Sequence, residues 1–243
     1  MRVKLDHRLA SIASLVLPDR PAADIGTDHA YLPVYLVQNQ ICPWAVASDK
    51  AIAPYDNACR LVKDLGLADA INIRQGEGLE VLKPGETATI IIAGIGGMLI
   101  RKILEASPAV LADNRRLVLQ PQKHADKLRQ WLAAHDWRIV AESIAYDNGF
   151  YYTVIAAEHG IMALTDDEAV FGPCLLKESP PLFLNYLEFQ LTQAEDLIRQ
   201  LKECPRAGSL KRIRELQGQA QKIREIITVT SIRQKAGDGE ESC

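Results

Sequence analysis

The run Thr89-Ile-Ile-Ile-Ala93, followed at once by Gly94-Ile95-Gly96-Gly97, limits this chain more than any other stretch. An unbroken apolar strand has to be covered on both faces, which is the condition of a central strand in a parallel sheet. Four further short apolar segments predict strands at 22–25, 45–48, 71–74 and 117–120. Helical periodicity fills the gaps at 30–38, 54–65, 97–105 and 125–134, and a first amphipathic helix is expected over 5–17. Pro54 suits a first helical turn, and Gly66 ends that helix. Strand-helix alternation of this kind gives a parallel α/β sheet with helices on both faces. Two longer strands, 137–146 and 150–157, flank Asn148-Gly149, a strong hairpin signal. They add an antiparallel ending to the sheet. That ending is usual in Rossmann-like methyltransferase domains and unusual in dinucleotide-dependent dehydrogenases.

The pattern changes near residue 164. Leu184, Leu187, Leu191, Ala194, Ile198 and Leu201 alternate spacings of 3 and 4, and Ile213, Leu216, Ala220, Ile223 and Ile227 continue in the same manner. A breaker around Pro205 and Gly208 separates them. The expected organisation is a sheet domain over 1–163, a helical coiled-coil hairpin over 164–231, and a disordered tail over 232–243. Heptads can pair within one chain, giving a monomer, or between chains, giving a homodimer.

Net charge is −3, so only a local concentration of charge could mark a nucleic-acid partner. From 206 to 235 there are eight Lys or Arg against two Glu, and Arg2, Lys4 and Arg8 stand near the start. Arg212 and Arg214 are the arm residues expected to meet RNA phosphates. The five cysteines form no CxxC pair and the histidines show no ligand spacing, which argues against a metal site. No signal peptide and no membrane-spanning apolar run is evident, and a cytoplasmic protein with reduced thiols is expected.

In open α/β sheets ligands sit at the carboxyl ends of the strands, so the chemistry is sought there. After strand one come Asp24, Gly26, Asp28 and His29. No pyrophosphate-binding GxGxxG is present, and Asp28 would repel a diphosphate while suiting a cationic ligand. Asp49 after strand two is placed to accept from a ribose diol or to cap a helix. Gly76-Glu77-Gly78 after strand three offers an acid beside exposed backbone, or simply a solvated turn. After strand four, the three glycines of Ala93-Gly94-Ile95-Gly96-Gly97 read as an exposed-backbone floor under a ligand or flipped base. Gln120 and Gln122 after strand five can face the same crevice or lie in a Pro-fixed turn. Tyr31, Phe150, Tyr151 and Tyr152 are aromatics available for stacking on a base.

Six segments together resemble the bacterial tRNA adenine-N1 methyltransferases that act on adenosine 22: DIGTDHAYLP (24–33), APYDNA (53–58), QGEGLEVL (75–82), IAGIGGMLI (92–100), LQPQ (119–122) and NGFYY (148–152). The likeness covers nearly the whole chain. Departures are Glu77 for a commoner Asp, Ile95 for Met, Gln122 for Asn, and Ala53 for Gly. The resemblance implies S-adenosyl-L-methionine as methyl donor and tRNA as partner. It implies Gly26 and His29 beside the methionine portion, Asp49 and Lys50 at the ribose, Glu77 at the adenine, and Gly94 to Gly96 bordering the methyl group. Asp28 is the candidate catalytic carboxylate. Three other readings stand beside this one. The first is a methyltransferase acting on N6 or on a small molecule, disfavoured by the missing [DNS]PP[YFW] segment. The second is a noncatalytic RNA-binding adaptor, and the third a nicotinamide-dependent oxidoreductase.

Overall fold

The computed structural model describes the backbone of residues 2–205 and 208–237, with side chains to 231. Two compact units emerge, Met1–Cys174 and Leu175–Cys243.

The first unit is built on a seven-stranded sheet in the order β3-β2-β1-β4-β5-β7-β6. Its strands are β1 (Ala22–Ile25), β2 (Ala45–Asp49), β3 (Ile71–Gln75), β4 (Thr89–Ile95), β5 (Arg116–Pro121), β6 (Trp137–Asp147) and β7 (Phe150–His159). β1 to β5 pair in parallel, and β7 runs antiparallel to both of its neighbours. The helices are α1 (His7–Ala13), α2 (Tyr31–Gln38), α3 (Ile52–Asp64), α4 (Gly97–Glu105), α5 (Pro108–Ala112), α6 (Ala125–Ala134) and α7 (Asp166–Phe171), with one 3-10 turn at Gly78–Val81.

The apolar run of β4 behaves as its composition requires. Ile90 and Ile92 pack with Ile100, Leu104, Leu128 and Leu132 of α4 and α6. Ile91, between them, points to the other face and packs with Ile12 of α1 and Leu32 and Leu36 of α2. Alternation along a strand thus uses every apolar residue because both faces carry helices.

Apolar periodicity predicts a first helix over 5–17, and α1 is shorter. Asp6 caps it, its Oδ1 accepting from the Leu9 amide at 2.6 Å, and the turn closes at Ser14. Capping chemistry sets the boundary here, not the apolar stripe. Gly66 follows α3 with φ +67, in the left-handed region a helix-ending glycine occupies.

α6 also carries a buried charge. Arg129 is 1% exposed and its partner Glu142, on β6, 0%, with Nε to Oε1 at 2.7 Å. Arg129 Nη1 donates to the carbonyls of Ala169 and Val170, both at 3.0 Å, and Glu142 Oε2 accepts from the Cys174 amide at 3.0 Å. Gly172 lies against this pair, where a Cβ would come 2.5 Å from Glu142 Oε2. The segment from α7 to Cys174 is thereby tied to α6 and β6.

In the second unit α9 (Pro181–Glu203) and α10 (Ser209–Gly237) follow α8 (Pro173–Glu178), which begins at the end of the first unit. α9 and α10 pack on each other through Leu191, Ala194, Ile198 and Leu201 with Leu216 and Ala220, the residues the heptad spacing selects. Arg224 reaches Glu195 at 2.5 Å. Of the basic residues counted between 206 and 235, Arg206 lies outside the described residues, as do the side chains of Arg233 and Lys235. The tail expected from 232 lies beyond the described side chains, and 238–243 lies outside the described residues altogether.

Candidate active site at the carboxyl edge

The parallel strands end in five turns on one edge of the sheet. β1 lies between β2 and β4, and the crevice opens where the chain leaves β1 in one direction and β4 in the other.

The β1 turn departs from ordinary backbone. Gly26 has φ +80, Asp28 +54 and Ala30 +56. Aspartate enters this region readily, but alanine does so at a cost of about 1–3 kcal/mol, borne here by a fully packed surrounding. The amides of Gly26 and Thr27 both donate to the Ser48 carbonyl at 2.8 Å, which ties the turn to β2. Asp24 is buried and accepts from the Thr27 hydroxyl at 2.7 Å. Burial pushes its carboxyl up to about 6, against the pull of that hydrogen bond and of the Arg8 cation. Asp28, by contrast, is 69% exposed, with His29 Nε2 at 3.6 Å from its Oδ1. The His29 and Tyr31 rings stack at 5.4 Å.

Asp49 has both oxygens engaged by backbone: Oδ1 accepts from Ala51 at 2.9 Å and Oδ2 from Asp28 at 3.3 Å. It pins the β1 turn to the end of β2 and holds the Ala51 amide just ahead of α3. Lys50 and Glu77 face each other across the rim at 3.0 Å, both exposed. Gly76 donates its amide to the Asp49 carbonyl at 3.1 Å and has Val81 packed where a Cβ would sit, at 2.5 Å. Gly78 has φ +55 and opens the 3-10 turn.

The glycines after β4 divide into different tasks. Gly94, φ +77, sits where the β4–β5 register slips between Ala93 and Ile95, a bulge that suits glycine. At Gly96 an added Cβ would meet nothing within 4 Å, so its backbone is open to the crevice. Gly97 is buried, its amide donating to the Lys123 carbonyl at 2.8 Å, and a Cβ there would come 2.6 Å from the His124 carbonyl. The reading of all these glycines as ligand floor therefore narrows, because Gly97 is a packing residue between α4 and the turn after β5.

Gln120, next to last in β5, has 0% exposure, and its Oε1 accepts from the Gly94 amide at 3.2 Å and from Arg8 Nη1 at 3.3 Å. Gln122 is exposed, holding Ile95 through its backbone amide at 2.9 Å. Sequence proximity groups Arg8 with Arg2 and Lys4. Those two are exposed, whereas the Arg8 guanidinium reaches the crevice and lies 5.8 Å over the Tyr152 ring. α1 is held for this by Ser11, whose hydroxyl meets that of Ser143 at 2.6 Å. Sequence reasoning misses the placement because nothing local announces where a first helix docks. β7 brings Tyr151 and Tyr152 to the same edge, since Leu119 pairs with Ile155 and the hairpin turn lies beyond. Tyr151 pairs with Tyr146 at 4.7 Å between rings, and Phe150 is 59% exposed. Arg212 and Arg214 are exposed on α10, in the other unit, and Arg212 meets Glu215 at 3.1 Å.

A family model described as tRNA (adenine(22)-N(1))-methyltransferase matches residues 22–228. The chain belongs to this family. It is 36% identical to the tRNA (adenine(22)-N(1))-methyltransferase of Bacillus subtilis over 232 residues, 93% of this chain and 98% of that one. The structure of Streptococcus pneumoniae Sp1610 in complex with S-adenosyl-L-methionine superposes with a TM-score of 0.82 at 35% identity, covering 92% of this chain and 100% of that one. M. capricolum TrmK in complex with S-adenosyl-homocysteine gives 0.78 at 29% identity, over 93% and 99%. The sheet is that of a Rossmann-like methyltransferase. Among the described residues there is no group of three His, Cys, Asp or Glu that could hold a metal, and no helix long and apolar enough to cross a membrane.

Proposed function

We infer that this chain transfers a methyl group from S-adenosyl-L-methionine to N1 of adenosine 22 in tRNA. The observation that carries the reading is membership of the family over residues 22–228 together with an acidic strand-end crevice. Asp24, Asp28, Asp49 and Glu77 stand at the ends of three adjacent strands, a donor set that suits a cation and opposes a diphosphate. When bound, S-adenosyl-L-methionine supplies a methyl group made electrophilic by its sulfonium. Asp49, Lys50 and Glu77 would hold its nucleoside half. The β1 turn with Gly26 and His29, and the open backbone at Gly94–Gly96, would border the rest.

Adenine N1 already carries a free lone pair, so the chain need not remove a proton to make the nucleophile. Its task is alignment, which contributes up to about 7–11 kcal/mol in favourable cases. Positive charge develops on the base as N1 is alkylated, and an exposed carboxylate at the rim stabilises it. We assign that role to Asp28, whose backbone is held by Asp49 while its side chain stays accessible. N1 is concealed in a Watson–Crick pair, so the base has to enter unpaired. Tyr31, Tyr151 and Phe150 offer stacking faces along the rim, each worth about 1–3 kcal/mol. We further propose that α9 and α10 form an antiparallel coiled-coil arm whose basic face, including Arg212 and Arg214, lies along tRNA phosphates.

Incubating bacterial tRNA with the protein and labelled S-adenosyl-L-methionine, then identifying the product, tests the reading. 1-methyladenosine at position 22 is the expected product. Asp28→Asn is expected to bind cofactor normally and to turn over about tenfold slower, equivalent to about 1.4 kcal/mol in the barrier. Product at another atom, or none with any RNA, would overturn the assignment.

A further inference from the structure

Gln120 carries a contradiction that the methyltransferase reading alone does not resolve. Its side chain has 0% exposure, yet the amide nitrogen Nε2 has no hydrogen-bond partner. A buried amide donor left unmade costs about 1–3 kcal/mol, and such orphans mark places where another group belongs. The orientation of the amide is fixed by its surroundings. Two donors, the Gly94 amide and Arg8 Nη1, converge on one atom, which must therefore be the oxygen. The two N–H bonds of Nε2 are what remains.

The neighbours of this amide are Gly94 on the sheet side and Arg8 of α1. Gln120 is level with Ala93 in the β4–β5 register, and Gly94 follows at the register slip between Ala93 and Ile95. Arg8 covers it from the α1 side at 3.3 Å from Oε1, beyond the usual N–H···O range of about 2.7–3.2 Å. Of the two lone pairs on Oε1, the one facing Gly94 belongs to the sheet, and the one facing Arg8 is weakly held.

We propose that Gln120 recognises the methyl-accepting adenine through its N6 and N7 edge, taking its place as Arg8 moves off Oε1. Nε2 donates to N7 and Oε1 accepts from the N6 amino group, the bidentate pairing that glutamine makes with adenine. This edge is the one that leaves N1 free. A donor-acceptor pair directed at the Watson–Crick side would cover the nucleophile. Here the amide grips the base from behind, with N1 turned outward. Guanine is rejected by the same geometry, because its O6 and N7 are both acceptors and O6 would face the amide oxygen. Gly94 is part of the device: its amide keeps the oxygen turned toward the sheet, so the side chain cannot flip and exchange its donor for an acceptor.

This proposal rests on the adenine-N1 reading, and the test separates the two. A tRNA carrying 7-deazaadenosine at the methylated position keeps N1 and N6 and lacks the N7 acceptor. Wild-type protein is expected to methylate it with kcat/KM about tenfold lower than ordinary tRNA. Gln120→Glu keeps an oxygen for Gly94 and Arg8 and loses the donor. It is expected to show the same loss on ordinary tRNA, no further loss on the 7-deaza substrate, and unchanged affinity for S-adenosyl-L-methionine by calorimetry. Equal wild-type rates on the two RNAs overturn the proposal, as does an equal 7-deaza penalty in both proteins. Should Gln120→Glu fail to fold, the wild-type comparison decides alone. Absence of product from ordinary tRNA would overturn the adenine-N1 reading, and this inference with it.

Discussion

Arg129 and Gln120 are both polar, both buried, and both in the first unit, yet their surroundings differ. Arg129 meets Glu142 and two backbone carbonyls, and Glu142 in turn receives the Cys174 amide. Gln120 has its oxygen engaged twice and its nitrogen not at all. A burial whose hydrogen bonds are made belongs to the architecture. A burial with a donor left over, at the strand ends, belongs to a ligand. The backbone sets the β1 turn apart from both. Around Arg129 the unusual φ falls on a glycine, Gly172, and beside Gln120 on Gly94, whereas in the β1 turn it also falls on Ala30, where strain is retained.

The largest effect is expected from removing one partner of the satisfied pair. Glu142→Leu leaves the Arg129 charge buried and alone, and is expected to destabilise the first unit by about 3–5 kcal/mol. Urea unfolding measures this. The double substitution Arg129→Met with Glu142→Leu is expected to recover most of the loss. A cost for Glu142→Leu below about 1 kcal/mol, the scale of an exposed pair, would show that the pair does not hold the unit together.

Asp24 gives the crevice a response to pH. Its folded pKa, about 6, stands above the unfolded value near 3.8, so the folded chain holds the proton more tightly. Stability is then full below pH 3.8 and falls as pH rises through about 6, by about 3 kcal/mol in total. Asp24→Asn is expected to remove that component, giving a flatter stability profile between these limits in denaturant titrations at several pH values. An identical profile in both proteins would mean that the carboxyl is not held as the structure has it.

The smallest effect is expected on the arm. Reversing charge at Arg212 and Arg214 should leave folding unchanged and lower the slope of log affinity for tRNA against log salt by about 0.7–0.9 for each phosphate no longer neutralised. An unaltered slope would take the arm out of the RNA interface.

Where local chemistry dictates structure, the sequence is readable. The strand positions, the Asn148-Gly149 turn and the span of α6 at 125–134 follow from periodicity and turn residues. So does the crowding of the candidate residues at the carboxyl edge. What escapes is set at a distance. α7 has six residues, too few to show a periodicity; a Thr165–Glu168 capping box starts it, and Arg129, far away along the chain, holds its later carbonyls. Arg8 looks like a surface cation until α1 is docked. Gly97 looks like its neighbours until the turn after β5 is packed against it. The orphan nitrogen of Gln120 cannot be read from LQPQ, because satisfaction of a polar group is a property of the folded neighbourhood.

The β6–β7 hairpin has a steric consequence. Ile155 is level with Leu119, and the strand continues back to Phe150, which carries the hairpin about 17 Å past that level at roughly 3.4 Å per residue. The crevice thus has a parapet along one flank, crowned by tyrosine and phenylalanine. On the adenine-N1 reading, such a flank favours a nucleotide swung out on its own tether over one still held in a rigid double helix.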